Sequence, residues 1–241
     1  MLLPFFIATT SYPRPETNRN ELVILLHGIF TTSLRLTRLH RTLHREGYTV
    51  LSITYPSRQL KITELASKIA LTINGHRDQF QAVHMVGHSM GGLLARAYLA
   101  RPDALPVKRL VCLGTPNQGT EFIDQIQHRP WSARLFQTIG GPSGNELGSD
   151  TSATSIVKIL GTAAPRGVET GVIAGKVGWW LGPRLPRPHD GYVPVERTKL
   201  EGLRDHKVVA CDHVTMTWRS RVIGEVLSFL ASGQFLADSV Q

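Results

Sequence analysis

The sequence predicts an α/β protein, a three-layer α/β/α sandwich around a mainly parallel sheet of about six strands. Two patterns carry that prediction. Short apolar runs rich in β-branched residues alternate with stretches in which apolar residues recur every third or fourth position. The short runs are continuous rather than alternating, as in strands covered on both faces. A length of 241 residues suits one such domain.

The elements follow in order. "LVILLH" at 22–27 reads as a buried strand, and "TSLRLTRLHRTLHREG" as a helix stopped at Gly47. In that helix Leu36, Leu39 and Leu43 fall on one side, and Arg35, Arg38, Arg41 and Arg45 on the other. "YTVLSITYP" at 48–56 is the second strand, and the helix over 61–76 carries Ile62, Leu65, Ile69 and Ile73 at helical spacing. "AVHMVGH" at 82–88 is the third strand, with a helix after it in "MGGLLARAYLARP". Further strands are expected at 107–116, 169–178 and 205–212, and a closing helix at 219–232. Residues 1–20 read as a lead-in segment, and 21–241 as a single domain. Residues 117–168 break the alternation and are too long for an ordinary connection, so they read as a partly helical, cap-like insertion.

Composition narrows the function classes. Hydrophobic residues at 41% and charged residues at 19% allow a sizeable core and argue against disorder. The net charge of +9 favours anionic partners. No Lys/Arg run interleaves with aromatics, so a nucleic-acid surface is not expected. Contact with an anionic membrane is the reading kept for that charge. The two cysteines, Cys112 and Cys211, lie in apolar runs and read as buried thiols. No metal-ligand spacing is present, and no cofactor is expected. The N-terminal apolar run lacks a basic start and is broken by Pro4, and no apolar stretch is long enough to span a bilayer. A cytoplasmic location is therefore expected.

The chemistry centres on "GHSMGG", Gly87 to Gly92. A G-x-S-x-G match alone arises by chance in roughly one chain in ten of this length. Here it ends an apolar strand and opens a helix, as a nucleophile elbow requires. Gly87 and Gly91 give the clearance that a strand and helix packed around Ser89 need. The helix N-terminus favours developing negative charge, and the backbone N–H of Met90, after the serine, is one expected oxyanion donor.

"LLHGIF", "VGHSMGGLLARAYL", "LGTPNQGT" and "DGYVPVE" together resemble motifs of the α/β-hydrolase superfamily. The resemblance is to its lipase/esterase-like branch, which includes bacterial lipases and GPI-inositol deacylase-like serine hydrolases. It implies a second oxyanion donor after the first strand, Ile29 or alternatively Phe30. His27 and Gly28 would support that loop, and His88 the elbow. It also implies the chain order serine, acid, histidine.

Sites in open parallel sheets lie at the carboxyl ends of strands. His213 follows the last strand and is the expected base, with His189 as its rival, whereas His206 begins that strand and lies at the wrong end. Asp190 is the expected acid, ahead of Asp212, whose side chain would diverge from its neighbour, and Asp150 in the insertion. Phe30, Trp131, Phe136, Trp179 and Trp180 are the expected acyl-pocket residues, with Phe122, Leu135 and Ile139 as further apolar positions. The function expected is a serine hydrolase that cleaves carboxylic esters, small or lipid-like, through an acyl-enzyme. An acyltransferase, thioesterase or amidase with the same residues is the alternative, and a hydrolase fold that only binds is the third reading.

Overall fold

Strand formation follows the apolar runs. The computed structural model describes residues 7–11, 19–127, 130–149, 155–178 and 185–237, and within these the side chains of 130–133 and 135–137 are left undescribed. Seven strands form one sheet: β1 (Ala8–Thr10), β2 (Glu21–Leu26), β3 (Thr49–Thr54), β4 (Ala82–His88), β5 (Arg109–Leu113), β6 (Glu169–Gly175) and β7 (Asp205–Val209), in the order β1-β3-β2-β4-β5-β6-β7. From β3 to β7 every neighbouring pair is parallel.

The sheet has one strand more than expected. It is β1, inside the segment read as a lead-in, and it pairs antiparallel with β3 through Ala8↔Thr54 and Thr10↔Ser52. Three largely exposed residues, two of them Thr, carry no apolar signal. An edge strand needs only a partner's free backbone groups, and those are set by the fold rather than by its own side chains. Cys211 also sits just beyond β7 rather than within it; both cysteines are free and buried.

The continuous apolar runs split between two cores. Leu22, Ile24 and Leu26 of β2 face one, while Val23 and Leu25 face the other. The first core lies under α2 (Ile62–Asn74) and α3 (Met90–Leu99), which contribute Leu65, Ile69, Ile73, Leu93 and Leu94. The second lies under α1 (Thr37–Arg45) and α7 (Ser220–Ser232), which contribute Leu39, Leu43, Val222, Val226 and Phe229. This is the period-2 strand meeting the period-3.6 helix on each face.

The segment between β5 and β6 folds as α4 (Glu121–Gln127), α5 (Pro130–Asn145) and α6 (Ile156–Leu160). Arg96, buried on α3, ties it down by donating to the carbonyls of Gly161 at 2.6 Å and Asn117 at 3.3 Å. Glu146, just after α5, accepts the Ile62 N–H at 2.8 Å and so caps the first turn of α2. Ser143 donates to the carbonyl of Ser57.

One position shows how closely α7 lies on the sheet. A Cβ added to Gly171 in β6 would stand 2.6 Å from Cε2 of the fully buried Phe229. Gly171→Ala is therefore expected to destabilise the fold by about 1–3 kcal/mol through overpacking. Chemical denaturation checks this, and an unchanged midpoint would contradict the packing described.

Candidate active site

Because β2, β4, β5, β6 and β7 are parallel, the segments leaving their carboxyl ends meet along one edge. Between β4 and α3 stands Ser89, with φ 54° and ψ −125°. A non-glycine residue there is strained, and such outliers collect at functional sites. Its N–H donates to the carbonyl of Leu113 at 2.8 Å, which holds the turn. A Cβ on Gly87 would lie 2.4 Å from the Gly92 nitrogen, and one on Gly91 2.2 Å from the Leu26 oxygen. Strand and helix can approach this closely only with glycine at both positions. Met90 opens α3, so its N–H has no acceptor within the helix.

The loop after β2 is braced from within. His27 Nδ1 lies 2.8 Å from the carbonyl of Gly28, so that nitrogen carries the proton, and Nε2 accepts the Tyr55 N–H at 3.2 Å. The Tyr55 ring stacks on the imidazole at 4.0 Å, and its hydroxyl donates to the carbonyl of His27. Ile29 and Phe30 follow, Phe30 with φ 61°, a second non-glycine residue in the left-handed region. Gly28 packs against the elbow, where a Cβ would lie 3.2 Å from that of Ser89.

Asp190 and His213 are brought together from the segments after β6 and β7. His213 Nδ1 donates to Asp190 Oδ2 at 2.7 Å, and the His213 N–H donates to the Asp190 carbonyl at 3.0 Å. Asp190 Oδ1 accepts the N–H groups of Tyr192 at 3.0 Å and Val193 at 2.8 Å. The carboxylate is thus buried and fully engaged. His88 donates from Nε2 to the carbonyl of His213 at 3.0 Å, so a residue of the elbow fixes the backbone of the histidine opposite.

The other histidines and carboxylates lie elsewhere. His189 Nδ1 accepts the Gly191 N–H at 3.1 Å, and His206 pairs with Thr198 at 3.0 Å; neither lines the cavity. Asp212 closes its own turn by accepting from Val214, Thr215 N–H and the Thr215 hydroxyl. Asp150 lies outside the described residues.

Ser89, His88 and His213 share a cavity of about 340 Å³, within the range that small-ligand sites occupy. Its walls are largely apolar: Ile29, Phe30, Pro116, Phe122, Ile123, Leu147, Tyr192, Val193 and Val214, with Thr31, Thr120 and Arg35 as the polar members. Of the expected pocket residues, Phe30 and Phe122 line it. Ile139, exposed on α5, does not. Trp179 and Trp180 lie outside the described residues, as do the side chains of Trp131, Leu135 and Phe136.

The sequence reading missed Tyr192, whose ring packs 4.9 Å from Phe122 and 5.1 Å from His213. It also missed Gly114, at φ 53°, where a Cβ would stand 3.0 Å from Asp190 Oδ2 and 3.1 Å from His213 Nδ1. Both sit inside motifs already singled out, "DGYVPVE" and "LGTPNQGT", but spacing alone says nothing of what they touch. Among the described residues no group of three or more His, Cys, Asp or Glu side chains could hold a metal ion.

This sheet order, with a serine elbow after β4, defines an α/β-hydrolase, and comparison with known proteins agrees. The family model of the palmitoyl protein thioesterases matches residues 22–157, and the chain belongs to that family. Lysosomal thioesterase PPT2 of Homo sapiens is 23% identical over 166 residues, covering 61% of this chain and 52% of that protein. The Rattus norvegicus protein of the same name is 22% identical over the same span. The chain thus spans about half the length of the curated relatives it matches.

Among solved structures, the mature form of Bacillus licheniformis lipase BlEst2 superposes with a TM-score of 0.77 at 16% identity, covering 95% of this chain and 98% of that one. The metagenomic carboxyl esterase MGS0156 gives 0.67 at 14% identity, covering 85% and 68%. The type II thioesterase BorB from the borrelidin biosynthetic cluster gives 0.58 at 17% identity, covering 92% and 96%. At these identities the structures show a shared fold. Among the described residues no helix is long and apolar enough to cross a membrane.

Burial keeps two histidines of this edge neutral. It lowers His27 to about 4, against a small opposing pull from the Gly28 carbonyl, and lowers His88 to about 3, helped by the nearby His213. The unfolded chain takes up a proton near the ordinary histidine value of 6.5, but these folded rings do so only some units lower. Their contribution is therefore fully present above about pH 6.5 and is lost as pH falls towards 4. For His27 the loss is on the order of 3 kcal/mol by pH 4. Denaturation across this window should show stability falling with acid, more gently in His27→Gln. A flat profile would contradict the buried neutral rings.

Proposed function

We propose that the protein is a serine acyl hydrolase acting on carboxylic esters with an apolar acyl chain. Ser89 is the nucleophile, His213 the general base, and Asp190 the acid that orients it. The observation that carries this is a strained serine sharing one cavity with a histidine whose Nδ1 is held by a buried carboxylate.

Each role follows from the chemistry. With Nδ1–H committed to Asp190, the second ring nitrogen of His213 is left unprotonated and able to take the serine proton. Asp190 then stabilises the imidazolium, since two backbone N–H groups already hold its other oxygen. As the Ser89 oxygen bonds to the acyl carbon, negative charge moves to the carbonyl oxygen. The N–H groups of Met90 and of Ile29 receive it, fixed in place before that charge develops. His213 returns the proton to the leaving group, and water then releases the acyl group from Ser89 by the same steps. The apolar walls would hold the acyl chain, and the helical segment between β5 and β6, acting as a cap, supplies Thr120, Phe122, Ile123 and Leu147 to them.

Thioester cleavage is the second reading, favoured by membership of the palmitoyl protein thioesterase family. It needs the same nucleophile and base and differs in the leaving atom.

Ser89→Ala is expected to abolish both turnover of p-nitrophenyl esters and labelling by a fluorophosphonate probe. Asp190→Asn should lower kcat by roughly a thousandfold or more while the fold persists. Matched ester and thioester series of increasing acyl length would rank the substrates. Unchanged turnover in Ser89→Ala would sink the proposal.

A further inference from the structure

The rim of the cavity carries apolar side chains that the fold leaves uncovered. Leu34 is 75% exposed, Trp218 51%, Phe30 50% and Val214 40%. Isolated exposed hydrophobics are ordinary, but Phe30, Val214 and Trp218 gather at one opening, while Leu34 lies to the side against Thr10, His40 and Ser52. Phe30 and Val214 line the cavity itself. Leu34 stands on the 3₁₀ turn Ser33–Leu36 beside Arg35, which also lines it. Trp218 ends the 3₁₀ turn Met216–Trp218, and its Nε1 donates to the Arg35 carbonyl at 2.8 Å. Two loops, after β2 and after β7, are thus bonded together into one rim.

Arginines are set among these side chains. The Arg35 guanidinium lies 5.8 Å from the Trp218 ring, and that of Arg58 lies 5.6 Å from the Phe30 ring. Arg38 donates to the Ser220 hydroxyl at 2.8 Å and to the Trp218 carbonyl, and Arg219 follows Trp218 in sequence. Arg38, Arg58 and Arg219 are exposed. The carboxylate within this stretch, Asp212, is occupied by the donors of its own turn. Among the described residues none of these arginines forms an ion pair with an acidic side chain, so the rim is cationic as well as apolar.

We propose that this rim docks on an anionic membrane, with Trp218, Phe30 and Val214 entering the interface and the arginines meeting lipid headgroups. The occupant is a lipid surface because the two chemistries alternate over a few ångströms. Tryptophan and arginine suit the depth at which acyl chains give way to phosphate, and each basic residue near such a surface adds to binding. Its consequence rests on the proposed acyl site: a docked rim opens the cavity onto the layer that holds acyl chains, so substrate enters without crossing water.

The test uses the full chain and vesicles of phosphatidylcholine with and without phosphatidylserine, at low and high salt. Wild type should sediment with the anionic vesicles at low salt and be released by high salt. Trp218→Asp and Arg219→Glu, on exposed side chains outside the cavity, should each weaken partition on the order of tenfold. Both should retain wild-type turnover of a soluble short-chain p-nitrophenyl ester, which shows that they fold. Binding indifferent to lipid charge, or untouched by both variants, overturns the proposal. Charge-dependent partition in a wild type without ester turnover would support the docking surface and overturn the acyl-site reading instead.

Discussion

At Gly91 the first turn of α3 meets the last carbonyl of β2, so closely that a methyl group would stand 2.2 Å from the Leu26 oxygen. That approach forces Ser89 to φ 54°, since the chain must leave β4 and enter the helix within one residue. Everything along this edge is arranged against that turn. The Leu113 carbonyl of β5 holds the Ser89 N–H, Gly28 of the β2 loop lies against the Ser89 Cβ, and α3 begins with an uncommitted N–H at Met90. The strain is affordable because the surroundings over-determine it: β4 pairs with β2 on one side and β5 on the other, and the next helix is buried along almost its whole length.

Several polar groups around the turn bond one another, although among the described residues His88 Nδ1 and the Thr115 hydroxyl have no partner. His27 bridges the Gly28 carbonyl and the Tyr55 N–H, and His88 reaches the His213 carbonyl. Both rings stay neutral because burial disfavours their charge. Asp190 is the exception, a buried carboxylate, and it is matched by two backbone donors and the His213 ring. The scaffold rings are neutral and the buried carboxylate at the site is compensated, while Arg35, which donates to the Val214 carbonyl, brings a cation to the same cavity.

The segment between β5 and β6 is bound to this frame at several points. Arg96 of the elbow helix grips its far end, Asn117 at its start donates to the Thr198 carbonyl at 2.7 Å, and the Thr120 hydroxyl donates to the carbonyl of Tyr192. Tyr192 in turn lies between Phe122 and His213. The wall of the cavity and the orientation of the Asp190–His213 pair therefore share residues. The contacts that join wall and pair are the Tyr192 ring and the Asp190 turn.

The strand runs, the two-sided burial of the sheet and the position of the elbow were legible in the chain itself. They depend on local period and on glycine at Gly87 and Gly91, and both are properties of neighbouring residues. The pairing of Asp190 with His213 could be anticipated from chain order and strand ends, but the residues that hold it could not. Gly114, His88 and Tyr192 touch that pair from three different segments, and contact between segments leaves no mark in spacing. The short strand β1 was invisible because an edge is recruited by its partner's free backbone groups. The cavity was least legible of all, since its walls come from the loops after β2, β5, β6 and β7. Sequence determined which residues could do chemistry here; only the packing of the parallel strands decided which of them face one another.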